Sequence, residues 1–182
     1  MRVALSFTEQ QYSLVRTHLF KGKKEQGCFL FVGSTINTSS IELKVKDIHI
    51  IEATGWSYQS SFHLELDEKE KVKVMLKARQ YDSDLIECHS HRLDGSSTFS
   101  PSDVHGLEEF VQYVWWKLSG KIYGAIVFTK SDVQGKIWLP KQNNPMFINE
   151  IKVFDNKDKF NIVGKSPIKK SLFNIFKRWN ND

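Results

Sequence analysis

The chain opens with "RVALSF" (residues 2–7), where apolar and polar side chains alternate as they do on a strand with one face in a core. Thr8 is placed as the N-cap of a helix over 9–20, on which Tyr12, Leu14, Val15, His18 and Leu19 form one stripe. "GCFLFVG" (27–33) is a continuous apolar run of strand length and predicts a strand buried on both faces. "SIELKVKDIHIIEA" (40–53) alternates, with Ile41, Leu43 and Val45 on one side, and "FHLEL" (62–66) predicts a further strand. The segment 67–80, "DEKEKVKVMLKARQ", carries acids in its first turn and bases in its last, as the helix dipole favours. "DLIECHSH" (84–91) is a strand. Ser100 then caps a helix over 101–120, with Pro101 at its first position and Gly120 as its stop.

Strands over 121–130, 135–140 and 148–154 complete the pattern, and 139–146, "LPKQNNPM", is the clearest loop. Consecutive strands joined by short turns favour an α+β fold or three-layer sandwich, a mixed central sheet flanked by helices, over a doubly wound parallel sheet. One domain over 1–155 is expected, followed by a basic extension over 156–182. In that extension Ile168, Leu172, Ile175, Phe176 and Trp179 recur at helical spacing with Lys and Arg178 opposite. Such a face suits an anionic membrane, a partner, or the chain's own domain.

Composition narrows the class. At 182 residues, 40% hydrophobic and 26% charged, the chain is globular and large enough to bury a core without cross-links. Its two cysteines, Cys28 and Cys88, lie in apolar runs, which suits reduced buried thiols in a cytoplasmic protein. The N-terminus turns polar too soon for a signal peptide, and no run reaches the roughly 18 apolar residues of a membrane span. The net charge of +5 gathers in "KGKK" (21–24) and the tail, but no nucleic-acid motif accompanies it. A solvated basic surface accounts for it.

The chemistry concentrates in "IECHSHRLDGSSTFSPSDVHG" (86–106). His89 and His91 stand two apart on a strand, so their imidazoles share a face. Ser100 and Asp103 form a capping box with Asp in the usual place of Glu, which is a complete structural account of that tetrapeptide. It leaves the paired histidines unexplained. A carboxylate held in a first helical turn beside two imidazoles supplies three ligands and leaves a fourth position free, the arrangement of a catalytic zinc. His105 reads as a surface helical residue; His18, His49 and His63 lack partners at useful spacing. Cys88 points to the strand face opposite the histidines and reads as a structural thiol.

"HSHRLDGSSTFSPSD" resembles the H-x-H, spacer, S-x-x-D signature of the JAB/MPN (JAMM-motif) metalloproteases, and "KKEQGCFLFVG" resembles their glutamate-bearing strand. The similarity runs from "MRVALSF" to about residue 153, closest to small prokaryotic JAB domains that accompany ubiquitin-like proteins. Arg92 stands where that family usually has Pro, and Gly27 precedes Cys28 where Cys usually precedes Gly. The resemblance implies a JAB/MPN-type sandwich of cytidine-deaminase-like architecture. It also implies one Zn2+ on His89, His91 and Asp103, with Glu25 as general base and Ser100 as oxyanion support. Glu42 and Glu87 are the other acids near apolar strands. The implied activity is hydrolysis of peptide or isopeptide bonds at the C-terminal tail of a ubiquitin-like protein, within a system of E1-like and E2-like enzymes that serves antiviral defence. Alternatives are trimming of a small adduct from a sulfur-carrier protein, and an inactive scaffold. Residues 54–63 and 131–146 are expected to border the substrate groove.

Overall fold

The computed structural model describes residues 1–92, 97–142 and 144–165. The amphipathic segment over 168–179 lies outside them. In chain order, β1 (Arg2–Thr8) leads into α1 (Glu9–Leu19), followed by β2 (Gly27–Ile36), β3 (Ser40–Ile50), β4 (Trp56–Gln59) and β5 (Leu64–Leu66). Then come α2 (Glu68–Gln80), β6 (Asp84–Ser90), α3 (Pro101–Lys117), β7 (Tyr123–Phe128), β8 (Val133–Trp138), β9 (Met146–Phe147), β10 (Glu150–Phe154) and β11 (Phe160–Lys165). Nine strands form one sheet in the order β11-β10-β1-β3-β2-β6-β7-β8-β9, and β4 and β5 form a separate hairpin. Pairs β1–β10, β1–β3 and β6–β7 are parallel and the rest antiparallel, so the fold is mixed α+β.

The alternation of side chains across the sheet sorts the core into two layers. Cys28, Leu30 and Val32 of β2 and Ile86 and Cys88 of β6 pack with Val15 and Leu19 of α1. Phe29 and Phe31 of β2 and Leu85 of β6 face the other way, against Val74 and Ala78 of α2 and Leu107, Val111 and Val114 of α3. Both faces of the central strands are covered, which is why β2 shows no alternation in sequence. Of the stripe read on α1, Val15 and Leu19 are buried while Leu14 faces solvent.

The helix ends form as their residues dictate. Thr8 accepts from the Gln11 N–H and Gln11 returns a bond to the Thr8 N–H, a full capping box. Asp67 accepts from the Lys69 N–H at the start of α2. Two elements differ from the sequence pattern: residues 56–59 form β4 ahead of the expected 62–66 strand, which itself begins at Leu64, and Met146 at the end of the expected loop begins β9. The sheet also continues past residue 155. β11 pairs antiparallel with β10, and the sheet curls until Gly164 lies on Val133 of β8, where a Cβ at Gly164 would meet Val133 Cγ1 at 2.5 Å.

Candidate metal centre

Strand β6 carries Glu87 and His89 on the face that looks toward α3, and His91 follows just beyond its end. Main-chain bonds hold that end on both sides: Ser90 N–H donates to Gln26 O and His91 N–H to Phe128 O. Across the gap, Ser100 Oγ accepts from the Asp103 N–H (3.1 Å) and Asp103 Oδ2 accepts from the Ser100 N–H (2.6 Å). The capping box therefore exists, and it fixes Asp103 in front of the histidines. His89 Nε2 lies 3.3 Å from His91 Nε2, His91 Nε2 lies 3.1 Å from Asp103 Oδ2, and His89 Nε2 lies 3.5 Å from Asp103 Oδ1. These three residues could hold a metal ion together, and no other such group occurs among the described residues.

The spacing tests the fit. Ligands about 2.0–2.1 Å from a tetrahedral ion are about 3.3 Å apart along each edge. The His–His contact and the contacts of each imidazole with one oxygen of the Asp103 carboxylate bracket that value, and two imidazole nitrogens with one carboxylate are a suitable borderline donor set. The groups also favour the ligating state of Asp103. Burial pushes its carboxyl up, but His89, His91 and the Ser100 N–H outweigh that and hold it well below the usual carboxylate range. For His89, burial acts to lower the pKa and Asp103, Glu87 and Glu25 reverse it, so the balance is upward.

Glu25 precedes β2 and is 6% exposed. Its main chain is pinned on both sides, N–H to Ser60 O (2.8 Å) and carbonyl accepting from Gln59 Nε2 (2.9 Å). No described residue hydrogen-bonds its carboxylate, and burial pushes that carboxyl up despite the nearby histidines. A carboxyl group shifted upward by burial in this way is a better proton acceptor than an exposed one. Arg92 braces the turn that leads to it: Nε donates to Lys24 O at 2.8 Å, and Nη2 donates to Lys21 O at 3.0 Å and also to Lys24 O. Arg92 thus secures the preceding turn to the end of the histidine strand.

Glu25, His89 and Asp103 line one cavity of about 200 Å³, which runs inward between β2, β6, α3 and the β4–β5 hairpin. Of the two segments expected to border a groove, 54–63 contributes Trp56 and His63, whereas 131–146 contributes none, because β7 separates β8 from β6. Ser102 lines the cavity; Ser100 does not, and its hydroxyl is engaged with the Asp103 N–H and with Ser102 Oγ at 2.9 Å. Glu42 lies away from the triad, 3.7 Å from Lys152. His105 is on the surface beside Glu109, His18 bonds Gly27 O, and His49 bonds Glu70. Cys28 and Cys88 are buried and free; they face each other across β2 and β6, and burial together with Cys28 pushes the Cys88 thiol well up. That environment disfavours the reactive thiolate.

The sequence singled out Glu87 only as a weaker base. In the structure it accepts a hydrogen bond from Tyr123 OH at 2.5 Å and forms part of the cavity wall. Only the identical spacing of Glu87, His89 and His91 along one strand face hinted at this.

No protein-family model matches the chain, and no curated protein matches it. A solved structure to which it is similar is the Trichoplax adhaerens STIL N-terminal domain, with 14% identity and a TM-score of 0.42. The match covers 75% of this chain and 43% of that one, so the chain spans less than half of that structure's length. At that level the likeness carries no argument about fold family or activity. No helix among the described residues is long and apolar enough to cross a membrane.

Proposed function

We propose that this chain is a zinc-dependent isopeptidase or peptidase of the JAB/MPN type, acting at the C-terminal tail of a ubiquitin-like protein. The observation that carries the reading is the convergence of two imidazole nitrogens and the Asp103 carboxylate within 3.1–3.5 Å contacts, with Glu25, whose buried carboxylate has no hydrogen-bond partner, on the wall of the same cavity. Zinc held by His89, His91 and Asp103 would supply a Lewis acid and would lower the pKa of a bound water to about 7. Glu25 takes the proton of the attacking water and returns it to the leaving amine. The Ser100 cap holds Asp103 still, and Ser102 lines the same cavity. The β4–β5 hairpin beside the cavity offers edges to which an extended substrate tail can add by main-chain bonds. On this reading the sheet and helices form a JAB/MPN sandwich, working in the cytoplasm beside E1-like and E2-like enzymes of an antiviral system.

A second reading, removal of a small adduct from a sulfur-carrier protein, is favoured by the limited volume of the cavity, which suits a side chain better than a folded domain. The experiment is direct. Purified protein is expected to hold one zinc per chain and to release lysine from a ubiquitin-like conjugate. Glu25→Gln is expected to keep the zinc and lose activity by about 100-fold or more. Wild-type turnover by Glu25→Gln overturns the assignment of the base, and a chain that binds no zinc overturns the class. Release of a small thiol adduct with no cleavage of the conjugate selects the second reading.

A further inference from the structure

Glu87 acts on His89 through its charge but is not among the residues that could hold the metal. It lies deep in the molecule yet keeps accessible surface, because its side chain opens onto the cavity. One carboxylate oxygen, Oε2, is taken by Tyr123 OH; the other has no partner among the described residues. The surroundings are aromatic. Phe29 stands directly across from Glu87 on β2, its ring 6.2 Å from that of Phe110, which lies 5.7 Å edge-on to the Tyr123 ring. On the β7 side the register neighbour is Ala125, too small to cover the carboxylate. From the hairpin and α2, Lys71 is paired with Glu68 (2.6 Å) and His63 lies 3.2 Å from Glu65.

A second observation points to an occupant. Gly106 sits inside α3 and lines the cavity, and a Cβ added there meets nothing within 4 Å. Glycine in a helix interior is unfavourable compared with alanine, and here no neighbouring atom requires it. It leaves that part of the cavity wall without a side chain. An open mouth, aromatic and apolar walls including Trp56 and Leu66, and the Glu87 acceptor set among the rings, apart from the Glu25 and Asp103 carboxylates on the triad side, together define a ligand with an apolar stem and a donating head. Aromatic faces around an acid favour a cationic head over a neutral one.

We propose that the cavity behind the His89–His91–Asp103 triad is a recognition pocket for a short alkyl chain ending in an ammonium or guanidinium group, seated on Glu87. The pocket deepens the peptidase reading and rests on it only for the identity of the whole substrate, in which this chain would be a basic side chain next to the scissile bond. Binding itself is separable from hydrolysis.

The probe is n-pentylammonium, titrated into the full chain and followed by chemical shifts, with zinc added and again after chelation. Saturable binding in both states is expected, with shifts centred on Phe29, Trp56 and Phe110, and pentan-1-ol is expected to bind about tenfold or more weakly, as for loss of a charged hydrogen bond. Glu87→Gln is expected to remove that preference while zinc content is unchanged. Gly106→Leu, which starts in open space and so spares the fold, is expected to block the probe. Equal affinity for the alcohol and the amine overturns the proposal, as does binding only when zinc is present, which would make the amine a metal ligand. Loss of zinc binding in the wild type with the amine still bound sinks the metal reading and leaves the pocket standing.

Discussion

Asp103 serves two functions with one carboxylate. It closes a capping box with Ser100 and faces both histidines at ligand distance. The two roles are separable by substitution. Ser100→Ala removes the cap and is expected to cost about 1 kcal/mol in thermal unfolding, while one metal per chain remains. Asp103→Ala removes a ligand and is expected to lose the metal as well, since two protein ligands remain. Metal analysis of both variants decides: if Ser100→Ala loses metal as fully as Asp103→Ala, the cap is what holds the ligand. At this scale the sequence was informative wherever the partners lie close along the chain. The His89, His91 and Asp103 set was readable from spacing, and the capping box from four residues. The pairing of Glu87 with Tyr123 was not, because it depends on the parallel register of β6 and β7. Nor was the bracing of the 21–24 turn by Arg92, which spans about seventy residues.

Helix α2 shows what joins an element to the sheet. Its Glu70 lies 2.7 Å from His49 of β3 on one side and 2.7 Å from Lys73 on the other. Burial pushes the Glu70 carboxyl up, but Lys73 and His49 outweigh it, so its folded pKa lies below the ordinary value of 4.5. A depressed carboxyl contributes stability above its unfolded pKa and loses it as pH falls through the folded one. Thermal melts of the wild type are therefore expected to decline below about pH 4.5, and Glu70→Gln to flatten that part of the decline. Parallel acid limbs for the two proteins would show that Glu70 does not link α2 to β3 electrostatically. Elements with strong periodicity or apolar runs were legible: β2, β3, β6, β7 and all three helices. β4 was not. It is four residues long, its Ser57 and Tyr58 are exposed, and Trp56 is placed by contact with Gly27, where a Cβ would come within 2.7 Å of the indole. That contact is tertiary and leaves no local pattern.

The largest departure from the sequence pattern concerns where the domain ends. Lysine-rich composition after residue 155 masks a strand, since β11 derives its stability from pairing with β10 and from the curl of the sheet more than from its own hydrophobicity. Phe160 stacks near Phe154 at 5.3 Å, Val163 packs against the core that contains Val133 and Ile151, and Gly164 fits on Val133 because it lacks a side chain. Two truncations separate the possibilities, and both lack residues 166–182. A chain ending at 165 keeps this closure; one ending at 155 leaves Val133 and Ile151 without their cover and β10 as a bare sheet edge. Burying one valine-sized side chain is worth about 2 kcal/mol. For a domain of this size that is about 4–8 °C in Tm. The shorter chain is expected to melt lower by at least that amount and to aggregate more readily through β10. The candidate triad, at the end of β6 and the start of α3, is separated from the lost strand by β10, β1, β3 and β2 in one direction and by β8 and β7 in the other, and is expected to keep its metal at temperatures below the melt. Identical melting of the two truncations would mean that the sheet closes without β11 and that the domain ends at 155.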